Sequence, residues 1–315
     1  MIAARSGAAA AEHDTQAAQP VPAGLAAQAG LAVQLPVVVL CGGFGTRLVE
    51  ETSSRPKPLV TIGGKPILWH LMRAYGSFGC NRFVLCLGYM GEAIKRFVLD
   101  FELMDSSFTL DVSSGRVERV HLGEGVTGSA EASFADGWSI SCVDTGERAM
   151  TGARLARVRC LVEGSRFLLT YGDGLSDVDI DELVAFHESA GAVVTLTAVS
   201  PTPRFGDLDL EGPLVRRFAE KERHDASWVN GGFFVCEPEI FEYLDDDDSC
   251  VLERDPLERL AKEGRLAAYR HRGFWQCMDT VHDREQLEDA WAQGAPWARR
   301  WAAWSRGAKM AGGPS

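Results

Sequence analysis

The stretch Val37-Val38-Val39-Leu40-Cys41-Gly42-Gly43-Phe44-Gly45-Thr46-Arg47 runs a short apolar segment straight into a glycine-rich loop. Three valines and a leucine in a row suit a strand covered on both faces, as in a parallel sheet. Working outward, Pro66 opens an amphipathic segment, Ile67 to Phe78, that ends near Gly79. Proline at a helix start and glycine just past its end is the expected asymmetry. Phe83 to Leu87 reads as a second buried strand, with a helix over about 91–101. Thr151 to Val162 has helical periodicity, and Phe167-Leu168-Leu169-Thr170 returns to strand. Asp179 is placed to cap the next helix, with Glu182 as its reciprocal partner and Gly191 beyond the end. Strands over 193–199 and 232–236, helices near 238–244 and 255–263, and a strand near 266–270 follow, before a helix-rich C-terminus. This alternation predicts an α/β fold with a mainly parallel sheet flanked by helices. Phe108 to Val143 reads differently, as inserted β elements with Gly-rich turns.

The chain has 315 residues, with 44 acidic against 32 basic side chains and a net charge of −12. That balance excludes a general nucleic-acid binder, which needs an excess of Lys and Arg, but leaves room for a locally basic pocket. No stretch approaches the roughly 18 apolar residues of a membrane span. The eight cysteines form no CxxC pairs and have no nearby His, so neither zinc nor a disulfide scaffold is indicated, and a reduced, cytoplasmic compartment is expected. Residues 1–35, mostly Ala, Gln, Gly and Pro, read as a mobile tail. Residues 36–305 then form one domain, and 306–315 a short C-terminal tail.

Glycines let the loop Gly42-Gly43-Phe44-Gly45-Thr46-Arg47 turn tightly and aim backbone N–H groups at an anion. Its spacing is neither the dinucleotide fingerprint nor the Walker form. A tight turn with a surface arginine is the plain alternative. Lys57, held between Pro56 and Pro58, tips the balance: a loop, a guanidinium and a restrained ammonium suit a triphosphate. Tyr171-Gly172-Asp173-Gly174 follows a buried strand, where α/β sheets place ligands, so Asp173 is a candidate Mg²⁺ ligand, against the plain reading of a turn aspartate. Asp279 ends an aromatic stretch before a helix, where capping competes with metal binding, and spacing alone does not pair it with Asp173. Asp245 to Asp248 reads as a solvated helix end, and Cys41 as core. Trp291, Trp297, Trp301 and Trp304 read as packing or an oligomer contact.

These residues resemble the sugar-1-phosphate nucleotidylyltransferase family, and within it the glucose-1-phosphate cytidylyltransferases. The resemblance is carried by the loop from Leu40 to Arg47, Lys57-Pro58, Ile62-Gly63-Gly64-Lys65-Pro66 and Val143-Asp144-Thr145-Gly146. Thr170 to Gly174, Asn230-Gly231-Gly232-Phe233 and Gly273-Phe274-Trp275-Gln276 extend it, so that it covers residues from about 37 to about 304. It implies a GT-A-like, Rossmann-like fold and Mg²⁺-dependent synthesis of CDP-glucose from CTP and glucose 1-phosphate, with release of pyrophosphate, in a homo-oligomer. It also implies roles: Gly42, Gly43, Phe44, Gly45, Thr46 and Arg47 around the nucleotide, with Lys57, Thr151, Arg154 and Gly172. Asp173 and Asp279 would hold the metal, and Glu220, Lys221, Asn230 and Gly231 the sugar phosphate. Gly152-Ala153 stands where the family has paired glycines, and Glu222 where it has proline.

In such a reaction a sugar-phosphate oxygen attacks the α-phosphorus in line with departing pyrophosphate. Catalysis is then positioning plus charge neutralisation, by Mg²⁺, Arg47 and Lys57. Three other readings remain open: a dTTP- or UTP-using relative, a non-catalytic sugar-nucleotide-binding subunit, and a Leloir glycosyltransferase. The last should show a metal-binding DxD motif, which Asp177-Val178-Asp179 matches only in form.

Overall fold

The structure is a computed structural model, and it describes residues 32, 35–45, 48–100, 108–114, 116–119, 137–201, 207–211, 214–219 and 227–302. Its central sheet and the ribbon beside it use β1 (Val37–Leu40), β2 (Arg82–Leu87), β3 (Ser139–Asp144), β4 (Phe167–Tyr171), β5 (Gly174–Ser176), β6 (Val194–Val199), β7 (Val229–Asn230), β8 (Phe234–Cys236), β9 (Leu266–His271) and β10 (Trp275–Cys277). The helices are α1 (Ile67–Gly76), α2 (Gly91–Asp100), α3 (Thr151–Arg157), α4 (Ile180–Ala190), α5 (Asp255–Lys262) and α6 (Val281–Ala292).

β1 lies between β2 and β4 and runs parallel to both, with Val39 opposite Leu85 on one side and Thr170 on the other. β3 continues the parallel run beyond β2. Beyond β4 the sheet turns mixed: β8 is antiparallel to β4 and to β6, β7 pairs with the far end of β6, and β9 is parallel to β6. The uniform apolar run in β1 has its reason here. Val37 and Val39 enter one core with Leu68, Leu71 and Met72 of α1, while Val38 and Leu40 enter a second core with Leu155 of α3 and Leu260 of α5. Each face is covered, so alternation is lost. The mixed, mainly parallel sheet flanked by helices is the fold expected from the sequence. The C-terminal ends of β1, β2, β3 and β4 fall on one edge, and the loops that follow them meet there.

Several local expectations are refined. Ala32 is fully buried, its N–H donating to Asp181 Oδ1 at 3.1 Å and its carbonyl accepting from Cys80 Sγ at 3.4 Å, so packing begins before Pro36. The helix over 151–162 breaks at Val158 into α3 and the turn Arg159–Val162. The element near 238–244 is a 3-10 turn, Pro238–Glu242. Asp179 caps α4 through Glu182 N at 3.0 Å and Gly191 ends it at φ 62°, as expected, but Glu182 does not reciprocate. Its carboxylate accepts from Tyr269 OH at 2.9 Å instead. Asp245 to Asp248 ends no helix; Asp248 is ion-paired with Arg157 at 2.9 Å. Of the β elements expected as insertions over Phe108 to Val143, the hairpin Phe108–Asp111/Arg116–Arg119 is one, but Ser139 to Val143 belongs to the central sheet as β3; a further hairpin, Asp207–Glu211/Leu214–Ala219, lies beyond that stretch. Residues 120–136, Trp304 and the C-terminal tail lie outside the described residues. No described helix is long and apolar enough to cross a membrane.

The described C-terminal tryptophans pack inward. Trp291, Trp297 and Trp301 surround His70 of α1, together with Trp69. His70 Nε2 lies 2.8 Å from the Ile62 carbonyl, and Trp297 Nε1–H donates to Nδ1 at 3.3 Å. That pair of partners selects the neutral tautomer with hydrogen on Nε2. Burial pushes the imidazole pKa down to about 4 from an ordinary 6.5. The unfolded chain therefore takes up a proton between those values while the folded chain does not, and stability falls as pH drops through that window. The loss from this group amounts to about 3 kcal/mol by pH 4. Melting temperature measured from pH 7 to pH 4 should fall less steeply in His70→Gln than in the parent chain.

Candidate active site

The site is built at the C-terminal edge of β1, β2 and β4. Gly42 and Gly43 continue β1 into the loop, and Cys41 N donates to Cys86 O at 3.0 Å, so the loop leaves the sheet in a fixed direction. Gly45 turns at φ 63°, with Thr52 Oγ1 donating to its carbonyl at 3.0 Å. A Cβ there would lie 2.7 Å from the Thr52 methyl, so both backbone conformation and space call for glycine.

Arg154 grips this loop from below. Its guanidinium is buried and donates to Gly42 O at 2.8 Å, Leu87 O at 2.9 Å, Thr145 Oγ1 at 2.9 Å, Gly146 O at 2.7 Å and Glu147 O at 3.3 Å. One side chain thus ties together the segments that follow β1, β2 and β3. A Cβ on Gly42 would stand 2.0 Å from the guanidinium carbon, and one on Gly88 would meet the same group at 2.5 Å. Among the described residues, a Cβ on Gly43 would meet nothing within 4 Å. The loop is therefore pinned on one side and open on the other. Phe44 lies exposed beside Tyr89, their ring centroids 5.3 Å apart.

Lys57 opens a single 3-10 turn, Lys57–Leu59, with Pro56 before it at φ −68° and buried Pro58 after it. The turn aims Nζ at two carboxylates, 2.6 Å from Asp173 Oδ2 and 2.8 Å from Asp279 Oδ1. The three side chains are only 12%, 26% and 20% exposed, respectively. Burial alone would lower the Lys57 pKa, but the Asp173 charge and hydrogen bonds to both carboxylates overcome it and raise it, so the group is a cation.

Asp173 follows β4 after Gly172, whose N–H donates to Leu40 O at 3.0 Å. Asp279 arrives by another route. β10 pairs antiparallel with β5, and Met278 N donates to Asp173 O at 2.9 Å, which sets the two aspartates side by side. The helix that follows is capped by Thr280, not Asp279. Thr280 Oγ1 accepts from Asp283 N at 3.2 Å, and Asp283 Oδ2 accepts from Thr280 N at 2.8 Å and Asp279 N at 3.0 Å. This capping box leaves the Asp279 carboxylate to face Lys57. Thr-x-x-Asp before the helix was the sequence signal that could have shown it.

Donor atoms of Asp173, Asp279 and Cys277 lie within 4.8 Å of one another. The two carboxylates already hold a cation between them, the Lys57 ammonium, and hard oxygen donors of this kind suit a divalent metal. Burial pushes the Cys277 and Cys41 thiols up, away from the thiolate form.

Thr151 and Asn230 join through residues that sequence reasoning did not single out. Thr151 Oγ1 donates to Glu253 Oε2 at 2.6 Å, Tyr171 OH donates to Glu253 Oε1 at 2.5 Å, and Asn230 Nδ2 donates to Tyr171 OH at 3.2 Å. Gly231 lies buried against Val199, and its carbonyl accepts from Trp275 Nε1 at 2.7 Å. Thr46, Arg47, Glu220 and Lys221 lie outside the described residues, as does Glu222.

A family model described as nucleotidyl transferase matches residues 36–283. A glucose-1-phosphate cytidylyltransferase of Salmonella typhi is 44% identical over 262 residues, covering 82% of this chain and 97% of that protein. A probable glucose-1-phosphate cytidylyltransferase of Bacillus subtilis (strain 168) is 42% identical over 267 residues, covering 85% and 99%. Among solved structures, HddC from Yersinia pseudotuberculosis complexed with GMP-PN aligns with a TM-score of 0.56 at 22% identity, over 82% of this chain and 99% of the other. An apo UDP-glucose pyrophosphorylase aligns with a TM-score of 0.57 at 15% identity, over 82% and 98%, and both alignments speak to fold alone. The match begins at the first strand, takes in the glycine loop, Lys57 and both aspartates, and ends on the Asp283 cap: the chain belongs to the nucleotidyl transferase family.

Proposed function

We propose that the chain transfers the cytidylyl group of CTP to α-D-glucose 1-phosphate, giving CDP-glucose and pyrophosphate, with Mg²⁺ at Asp173 and Asp279. The observation that carries this reading is Lys57 Nζ lying 2.6 and 2.8 Å from the two carboxylates, with Gly172 packed against Leu40, Cys41 and Pro58 where the glycine loop leaves β1. The choice of base and sugar is supported by the 42–44% identity to the cytidylyltransferases above.

The residues divide the work by charge. The loop from Gly42 to Gly45 offers backbone and open space above Gly43, and Arg154 keeps that backbone from shifting when an anion binds. Lys57 neutralises phosphate charge as the sugar-phosphate oxygen approaches the α-phosphorus. A bound Mg²⁺ would supply further neutralisation of the α-phosphate and orient it for in-line attack. Pyrophosphate leaves opposite the incoming oxygen, and no side chain forms a bond to phosphorus. Cys41 is buried in the core beneath the loop and takes no part as nucleophile. Arg47 and Lys221 are proposed as further phosphate contacts, on the family resemblance.

Purified protein incubated with Mg²⁺, glucose 1-phosphate and each of CTP, dTTP, UTP, ATP and GTP should release pyrophosphate with CTP. Release with another nucleotide instead overturns the choice of base, and none with any overturns transfer itself. Lys57→Ala and Asp173→Ala should each lower kcat/KM by about 10² or more, as for a lost transition-state charge contact. Near-parental turnover removes that residue from the chemistry. Lys57→Met, by contrast, should bind Mn²⁺ more tightly in the absence of nucleotide. The variant removes a cation that competes for the same carboxylates, and a gain of about tenfold corresponds to 1.4 kcal/mol. Free Mn²⁺ measured by electron paramagnetic resonance reads this directly, and unchanged affinity argues against a metal between Asp173 and Asp279.

A further inference from the structure

Glu253 lies in the turn before α5, with no place in the chemistry above, yet two hydroxyls from separate parts of the site converge on it. A carboxylate only accepts hydrogen bonds, and each hydroxyl has one hydrogen. Thr151 and Tyr171 must therefore both donate to Glu253, at 2.6 and 2.5 Å, and turn their lone pairs outward. On the first arm Thr151 Oγ1 accepts from Leu252 N at 3.0 Å. On the second, Tyr171 OH accepts from Asn230 Nδ2 at 3.2 Å, which leaves the Asn230 carbonyl oxygen to accept from Gly232 N at 3.0 Å. The direction of every bond in the chain follows from one carboxylate.

The same chain shapes the turn it ends on. Gly232 stands at φ 77°, and a Cβ there would lie 3.0 Å from the Tyr171 ring, so the turn rests on that ring. Gly231 N donates to Thr197 O at 2.8 Å, which fixes the other side. Tyr171 also stands two residues before Asp173.

We propose that Glu253 and Tyr171 are positioning residues that orient the Asn230 amide and its turn for the sugar phosphate. This rests on the nucleotidylyl-transfer reading, with Asn230 and Gly231 at the sugar phosphate as the family resemblance implies. Tyr171→Phe keeps the ring and removes the hydroxyl, so Asn230 loses the acceptor that sets its amide. Glu253→Gln keeps the shape but adds a donor, so one hydroxyl can no longer give its hydrogen to the group between them.

The test is steady-state kinetics with CTP, glucose 1-phosphate and Mg²⁺ on the parent chain, Tyr171→Phe, Glu253→Gln and the double variant, with melting temperature alongside. Tyr171→Phe should raise KM for glucose 1-phosphate about tenfold, which corresponds to about 1.4 kcal/mol, with KM for CTP and kcat within about twofold. Glu253→Gln should raise the same KM at least as much, and the double variant should be no worse than the worse single one, because both act through one chain. Unchanged KM in Tyr171→Phe overturns the inference. So does an equal rise of both KM values with a fall in melting temperature, or full additivity in the double variant. If Glu253→Gln fails to fold, Tyr171→Phe decides alone. A parent chain that transfers no nucleotidyl group at all removes the underlying reading instead, which an active parent with an unaltered Tyr171→Phe does not.

Discussion

Two carboxylates facing one ammonium are the constraint around which the rest is arranged. Asp173 and Asp279 come from distant parts of the chain and stand close enough to share Lys57. Like charges at such range, partly shielded from water, oppose folding unless a cation lies between them. Each carrier is accordingly held by backbone as well as by charge. Lys57 has Pro56 and Pro58, Asp173 has the Gly172 N–H on β1, and Asp279 has the β5–β10 ribbon and the Asp283 carboxylate on its own N–H. The attraction does not have to find the geometry; the backbone delivers it.

The same elements couple the two ends of the chain. α6, which begins at the Thr280 cap, runs back over the hairpin that follows Lys57. Glu288 Oε2 accepts from Gly63 N at 2.9 Å, and Arg284 pairs with Glu51 at 2.7 Å. A Cβ on Gly63 would overlap the Trp291 indole at 2.1 Å, and Gly63 and Gly64 turn at φ 57° and 79°. Two successive positive φ values make the tight hairpin between Thr61–Ile62 and Lys65–Pro66, and the missing side chain lets Trp291 close over it. His70 and its ring of tryptophans then seal α6 and the C-terminal turn onto α1. Displacing α6 would move Asp279 and loosen the hairpin beside Lys57 together.

Much of this was legible in the sequence, and the reasons for the rest are specific. The run from Val37 to Leu40 announced a strand covered on both faces because no polar residue interrupts it. Asp173 was legible because a carboxylate after a buried strand lies where parallel sheets bind ligands. Its pairing with Asp279 was not, since an antiparallel ribbon between β5 and β10 brings them together and spacing carries no trace of that. Arg154, which the resemblance places around the nucleotide, holds five groups beneath the loop, and those contacts depend on three strand ends meeting, which spacing does not show. Glu253 gave no signal, because a carboxylate among turn residues acquires its partners only when α3, β4 and β7 are assembled.

The chain's charge takes on a different meaning at the site. A net charge of −12 is poorly matched to a triphosphate, yet exposed charges more than about 10 Å from a site are largely screened by salt. Closer in, one positive and two negative side chains, Lys57 against Asp173 and Asp279, leave a local excess of negative charge. A polyanion approaching that trio meets repulsion unless the balance is reversed. A divalent cation on the two carboxylates, as proposed above, would reverse it and at the same time free the ammonium from them. On the proposed reading, charge balance would tie cation binding to nucleotide binding, each making the other more favourable, with Lys57 passing from the carboxylates to phosphate oxygens.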